Sequence, residues 1–93
     1  MSAGELPATV ESAVRLMMAL VPESEQADIA YMNEAELSTL HFGLGQWARN
    51  HLGLWGDNPA LLAATGESNA DDASEVIVKA FWMRLREGLP KVH

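Results

Sequence analysis

Cysteine is absent from the 93 residues of this chain, which excludes a disulfide framework, a thiolate nucleophile, a zinc ribbon and an iron–sulfur cluster. A reducing compartment fits that composition. Basic residues are scarce as well, six against thirteen acids, for a net charge of −7. That balance disfavours adhesion of the whole molecule to phosphate backbones or anionic lipid, so direct nucleic-acid binding is not expected. No run approaches the roughly 18 apolar residues of a membrane span. The opening Met1-Ser2-Ala3-Gly4-Glu5 has neither the basic n-region nor the apolar stretch of a secretory signal. A cytoplasmic protein without membrane attachment is expected, and a partner selected by charge would present a basic surface. Charged residues make up only 20% and hydrophobic residues 48%, which excludes a disordered tail.

What is present suffices for one core. A chain of this mass buries about 64% of its unfolded surface on folding, and chains this short rarely divide into two cores. A single domain is therefore expected over residues 1–93, with 1–8 and 89–93 fraying. Apolar spacing is helical almost throughout, and no strand-length alternation is convincing, so the fold class is all-α, a compact bundle of four to five helices.

Thr9 is placed to cap a first helix reaching about Leu20, with Val10, Ala13, Val14, Met17 and Val21 on one stripe. Pro22 ends it. A short helix starting at Ser24 would bury Ile29 and Tyr31. Asn33 with Glu36 three residues later forms a capping signature, and Leu37, Leu40, Leu44, Trp47 and His51 follow on a single stripe. The spacing predicts a central helix from Asn33 to Leu52, closed by Gly53 in the left-handed conformation, with Leu54 and Trp55 folding back. Asn58-Pro59 opens a further helix that stops at Gly66. Asn69 opens the last, with Asp71 and Asp72 complementing its dipole and Ala73, Val76, Ile77, Ala80, Phe81, Met83 and Leu85 as its apolar residues. Gly88 and Pro90 end it.

The densest pattern is Leu40-His41-Phe42-Gly43-Leu44-Gly45-Gln46-Trp47-Ala48-Arg49-Asn50, continued by Gly53-Leu54-Trp55, Asn58, Asp71-Asp72-Ala73-Ser74 and Trp82. Two glycines inside a helix cost about 1 kcal/mol each against alanine, so at least one should permit a close approach. A lone Gly-x-Gly with no preceding strand is not a phosphate loop. The pattern resembles a group of small uncharacterised bacterial helical domains with a Leu-His-Phe-Gly-Leu-Gly-x-Trp-x-Arg-Asn core. The resemblance covers about Leu37 to Leu85. It implies a common small helical fold and carries no activity with it.

His41 and His51 stand ten residues apart, about 15 Å along one helix, and cannot share a metal ion from it. No metal site and no cofactor are implied, and His93 falls at the frayed end. His41, Gln46, Arg49, Asn50 and Asn58 are candidates for a polar pocket walled by Trp47 and Trp55. The structural alternative is that Arg49 and Asn50 clamp the turn at Gly53. No carboxylate is placed beside His41 by the sequence, so an enzyme is not expected. Trp47, Trp55 and Trp82 are core residues by default and interface anchors if exposed. The methionines are core filler, unless Met17 and Met18 are exposed together.

Charge is polarised along the chain: residues 1–40 carry −6, residues 41–78 carry −4, and residues 79–93 carry +3. Glu23, Glu25, Asp28, Glu34 and Glu36 fall within fourteen residues. A solvated face is the bland reading of such a cluster. The sharper one is a partner-binding patch whose carboxylates, about 5 to 6 Å apart on adjacent turns, stand where a partner expects phosphates. On that reading the chain is a non-enzymatic acidic protein-binding module. A phage- or mobile-element-encoded inhibitor of the anti-CRISPR or DNA-mimic type, docking on a basic nucleic-acid-binding surface, is its most concrete form. The rivals are a homodimeric structural module and a small-ligand or enzymatic pocket around His41, Arg49 and Asn50.

Overall fold

The computed structural model describes residues 6–88. Its first helix, α1 (Val10–Leu20), begins where Thr9 and Ser12 cap one another reciprocally, and it ends at Val21. Ala13, Val14, Met17 and Val21 go into the core. Helix α2 (Glu23–Ala30) follows a single-proline corner and buries Ile29 and Ala30. Tyr31, expected in the core, is 73% exposed, because it caps α2 one position past the buried Ile29–Ala30 pair.

The stretch expected as one regular central helix is three different helices in succession. A 3-10 helix runs over Glu34–Leu40, a π turn over His41–Gly45, and the α-helix α3 only over Gln46–His51. The capping box predicted at Asn33 and Glu36 is present, with Asn33 Oδ1 accepting from the Glu36 amide at 3.0 Å. From there the hydroxyls of Ser38 and Thr39 donate to the carbonyls of Ala35 and Glu36, three residues back, at 3.3 and 2.7 Å. Such local bonds compete with regular α winding. The wider π turn that follows keeps both of its glycines at negative φ, so backbone freedom is not what Gly43 and Gly45 supply. None of Leu37, Leu40, Leu44 or Trp47 is fully buried.

The central element is α5 (Ala70–Glu87), which packs on α1, α2, α3, α4 (Pro59–Thr65) and both irregular segments. Its buried residues, among them Ala73, Ile77, Phe81 and Leu85, recur at three- and four-residue spacing over 18 residues. That length lets one stripe serve several neighbours, whereas the 34–51 segment loses its stripe when the winding changes. Asn69 caps α5 as the sequence predicts. Met83, expected in the core, is exposed. Met17 is fully buried while Met18 is not, so the two form no joint exposed face.

Helix α4 (Pro59–Thr65) has Asn58 as its cap and left-handed Gly66 as its end. Gly53, with φ +77°, makes the turn after α3, and a Cβ there would lie 2.8 Å from Leu6 and 2.9 Å from Asn58. Asn58 Nδ2 donates to the Pro7 carbonyl at 2.7 Å, where the Gly53 turn brings the segments together. The expectations for residues 1–5 and 89–93, including Pro90 and His93, lie outside the described residues. The molecule is an all-α single small domain with no strand among the described residues.

Candidate functional site

The five residues proposed for a polar pocket do not converge. Asn58 is buried and serves the fold: it donates to the carbonyls of Pro7 and Leu52 and accepts from the Leu61 amide. Asn50 Oδ1 accepts from the indole of Trp55 at 2.8 Å, on the surface, and Gln46 is exposed. Arg49 is 4% exposed and turns inward instead of toward the Gly53 turn. Its Nη1 donates to Ser74 Oγ at 2.9 Å and its Nη2 to the His41 carbonyl at 3.0 Å. The Nε stands 3.4 Å from Asp71 Oδ1 and is the one buried side-chain polar atom without a hydrogen-bond partner among the described residues. Arg49 therefore ties the π turn to the start of α5. A Cβ at Gly45 would sit 3.2 Å from Arg49 Nη1 and 3.3 Å from the Leu40 carbonyl, which is the close approach the sequence called for. Gly43 meets nothing within 4 Å.

Above this arginine a cleft of about 240 Å³ opens between the 3-10 segment and α5, bordered by His41, Ser38, Lys79, Glu34 and Glu75. It falls below the roughly 300 to 1,000 Å³ of ordinary small-molecule sites. Lys79 Nζ and Glu34 Oε2 close part of its rim at 2.7 Å. The His41 ring packs edge-on against Phe42, which is 83% exposed.

A second, larger depression of about 530 Å³ lies on the other side of Leu40, the residue that borders both. One wall is the α1–α2 corner, with Leu20, Val21, Pro22 and Ile29; the other is Leu44, Trp47 and the bare backbone of Gly43. Met32 completes it, and Glu25 and Asp28 supply its acidic border. Side chains from outside hold these walls. Gln26 Nε2 donates to the carbonyls of Met18 and Val21 at 2.9 and 2.8 Å, locking the α1–α2 corner. Trp82 Nε1 and Arg86 Nη1 donate to the Met32 carbonyl at 2.8 and 3.3 Å, with the guanidinium stacked over the Trp82 ring.

The acidic cluster divides accordingly. Glu34 is paired with Lys79, and Glu36 caps the 3-10 segment. Glu23, Glu25 and Asp28 are exposed on α2, with no ion pair to them among the described residues. Of the three tryptophans, Trp82 is buried and structural, Trp47 half lines the groove while stacking on His51 at 4.9 Å, and Trp55 is 64% exposed. Sequence reasoning missed Gln26 and the structural use of Ser74. Neither stands in a pattern that announces it.

A family model matches residues 6–85, which is this arrangement except Arg86, to the domain of unknown function DUF6794. The chain belongs to that family. The DUF6794 match takes in α1 and α2 as well as the glycine-rich segment, and so reaches well before Leu37. No curated protein and no solved structure matches the chain. No helix among the described residues is long and apolar enough to cross a membrane.

Proposed function

We propose that this domain is a non-enzymatic protein-binding module that docks a basic partner surface on the exposed face of α2, in a cytoplasmic setting. The observation that carries the reading is the division of the acidic cluster. Glu34 and Glu36 are used within the fold, while Glu23, Glu25 and Asp28 stand free beside an apolar groove. Isolated surface carboxylates contribute little to stability, so their grouping next to apolar surface points to recognition. Inhibition of a nucleic-acid-binding protein by phosphate mimicry is the most specific form of this proposal. The Leu40 to Trp55 pattern is, on the same reading, the signature of the family, since it supplies both the Arg49 clamp and one wall of the groove.

The test is charge reversal. Glu23→Lys, Glu25→Lys and Asp28→Lys are combined, Glu34 and Glu36 are left native, and the fold is checked by circular dichroism. Used as bait in its host lysate, the native chain should retain a basic protein that moderate salt releases, as screening of exposed charges requires. The triple variant should lose it. Equal retention by both baits would remove the charge-driven reading.

A second reading has one observation in its favour, the cleft beside His41 and Lys79. Its volume and the inward commitment of Arg49 make it the weaker site.

A further inference from the structure

The groove has an apolar floor and an acidic edge on one side only. We propose that it receives an amphipathic helix of a protein partner, with apolar residues entering the groove and Lys or Arg residues passing along α2. The inference rests on the reading of the domain as a binder of basic proteins and names the element that the partner presents.

Three features choose this occupant. Leu20, Ile29, Met32, Leu44 and Trp47 come from both walls, so an entering side chain loses water on two sides, which is where helix anchors at i, i+3/i+4 and i+7 gain affinity. Glu25 and Asp28 are three residues apart on α2, and therefore face one direction at the spacing of basic residues one turn apart on an incoming helix. At Gly43 the floor is backbone alone, and nothing stands within 4 Å of where a Cβ would be, which leaves room for a bulky anchor. An anionic small molecule is disfavoured by the two carboxylates, and a neutral one would find the Trp47 indole N–H as the single side-chain donor among the groove residues to orient it. A second copy of the chain is also disfavoured. Its exposed basic residues on α5 are already engaged, Lys79 with Glu34, Arg84 with Glu87 and Arg86 with the Met32 carbonyl.

The probe is a synthetic helix of about 18 residues, long enough to be helical on contact, with Leu at helical anchor spacing and Lys elsewhere. The control has the same composition with Leu and Lys alternating. The ¹⁵N-labelled domain is titrated with each. Saturable amide shifts at Leu20, Ile29, Gly43, Leu44 and Trp47 are expected with the helical peptide only. Gly43→Trp fills the groove from within, and Gly43→Leu is a smaller plug should the tryptophan disturb the fold. Each plug should weaken binding by roughly tenfold or more, as should Glu25→Lys with Asp28→Lys. Absence of binding at about 1 mM peptide overturns the inference, as do shifts confined to another face. If the plugs bind like the native domain while charge reversal abolishes binding, the groove inference falls and the acidic-face function stands. If charge reversal changes nothing, both fall. A dimer of the native domain by sedimentation, with the same groove shifts on dilution, assigns the groove to a second copy and overturns the partner helix.

Discussion

Arg49→Ala is the perturbation that best tests how the irregular segment is held. The guanidinium is buried and donates two charge-assisted bonds, to Ser74 Oγ at 2.9 Å and to the His41 carbonyl at 3.0 Å. Hydrogen bonds to charged groups are worth about 1.5 to 3 kcal/mol each, so the low end gives about 3 kcal/mol for the pair. The Asp71 contact adds less than about 1 kcal/mol, because that carboxylate is 60% exposed and screened. Opposing this is the desolvation of a buried charge, which alanine relieves. Without that relief, a loss of about 3 kcal/mol in a domain of this size lowers Tm by roughly 12 to 24 °C, which is the upper limit expected by circular dichroism at 222 nm with a parallel urea titration. Arg49→Met keeps the packing of the stem without the charge, and should recover about half of the loss. Arg49→Lys should recover little, since one ammonium cannot serve two acceptors held in a guanidinium fork. If alanine lowers Tm by less than about 4 °C, desolvation cancels the bonds and the arginine is not what fixes the π turn.

Other outcomes follow from neighbouring residues. Asn58→Ala should cost about 2 to 4 kcal/mol by chemical denaturation, since the cap of α4 and two carbonyl acceptors lose their partner together; Asn58→Asp should be no better, having no donor for Pro7 and Leu52. Gly45→Ala should destabilise by about 1 kcal/mol despite the better helix former, because Arg49 Nη1 and the Leu40 carbonyl are both pinned, whereas Gly43→Ala into open space should stabilise by about 0.5 to 1 kcal/mol. A gain for Gly45→Ala would show that the guanidinium yields. Trp82→Phe should lose about 1 kcal/mol with its bond to Met32, while Trp55→Phe should stay within about 0.5 kcal/mol, its indole being exposed.

The helix boundaries written in the chain by caps were legible. Thr9, Asn33, Asn58 and Asn69 each start a helix through side-chain bonds to nearby backbone amides, and Gly66 ends one in the left-handed conformation. These are local events with one physical solution. The central helix was not legible, because its apolar spacing satisfies an α stripe that the chain does not adopt. A 3-10 helix advances about 20° more per residue than an α-helix, so seven residues of it unroll the stripe by more than a third of a turn. The π turn returns part of that. Leu40 consequently faces two depressions instead of one neighbour, and α5 takes the centre. The sequence points Arg49 at the nearby Gly53 turn, whereas its guanidinium goes to the core. The buried acceptor at the far end of its reach, Ser74 Oγ, is 25 residues away, and a single sequence does not place the two side by side.

The fixing of the groove bears on how its apolar area would convert to affinity. Association costs rotamer and loop ordering, and a wall that must freeze on binding returns little of what it buries. Here each wall is held by a donor outside the groove gripping a carbonyl: Gln26 at the α1–α2 corner, Trp82 and Arg86 at Met32, and Arg49 at the head of the π turn. The irregular wall is the least regular backbone in the domain, yet its first carbonyl is held by the best-buried cation. A partner helix of the proposed kind would therefore meet a preformed surface, and changes at Gln26 or Arg49 would act on that surface through its shape, whereas changes at Glu25 or Asp28 would act through charge. The two classes separate by salt dependence: loss of a shape determinant weakens binding at all ionic strengths, and loss of a rim charge weakens it chiefly when salt is low.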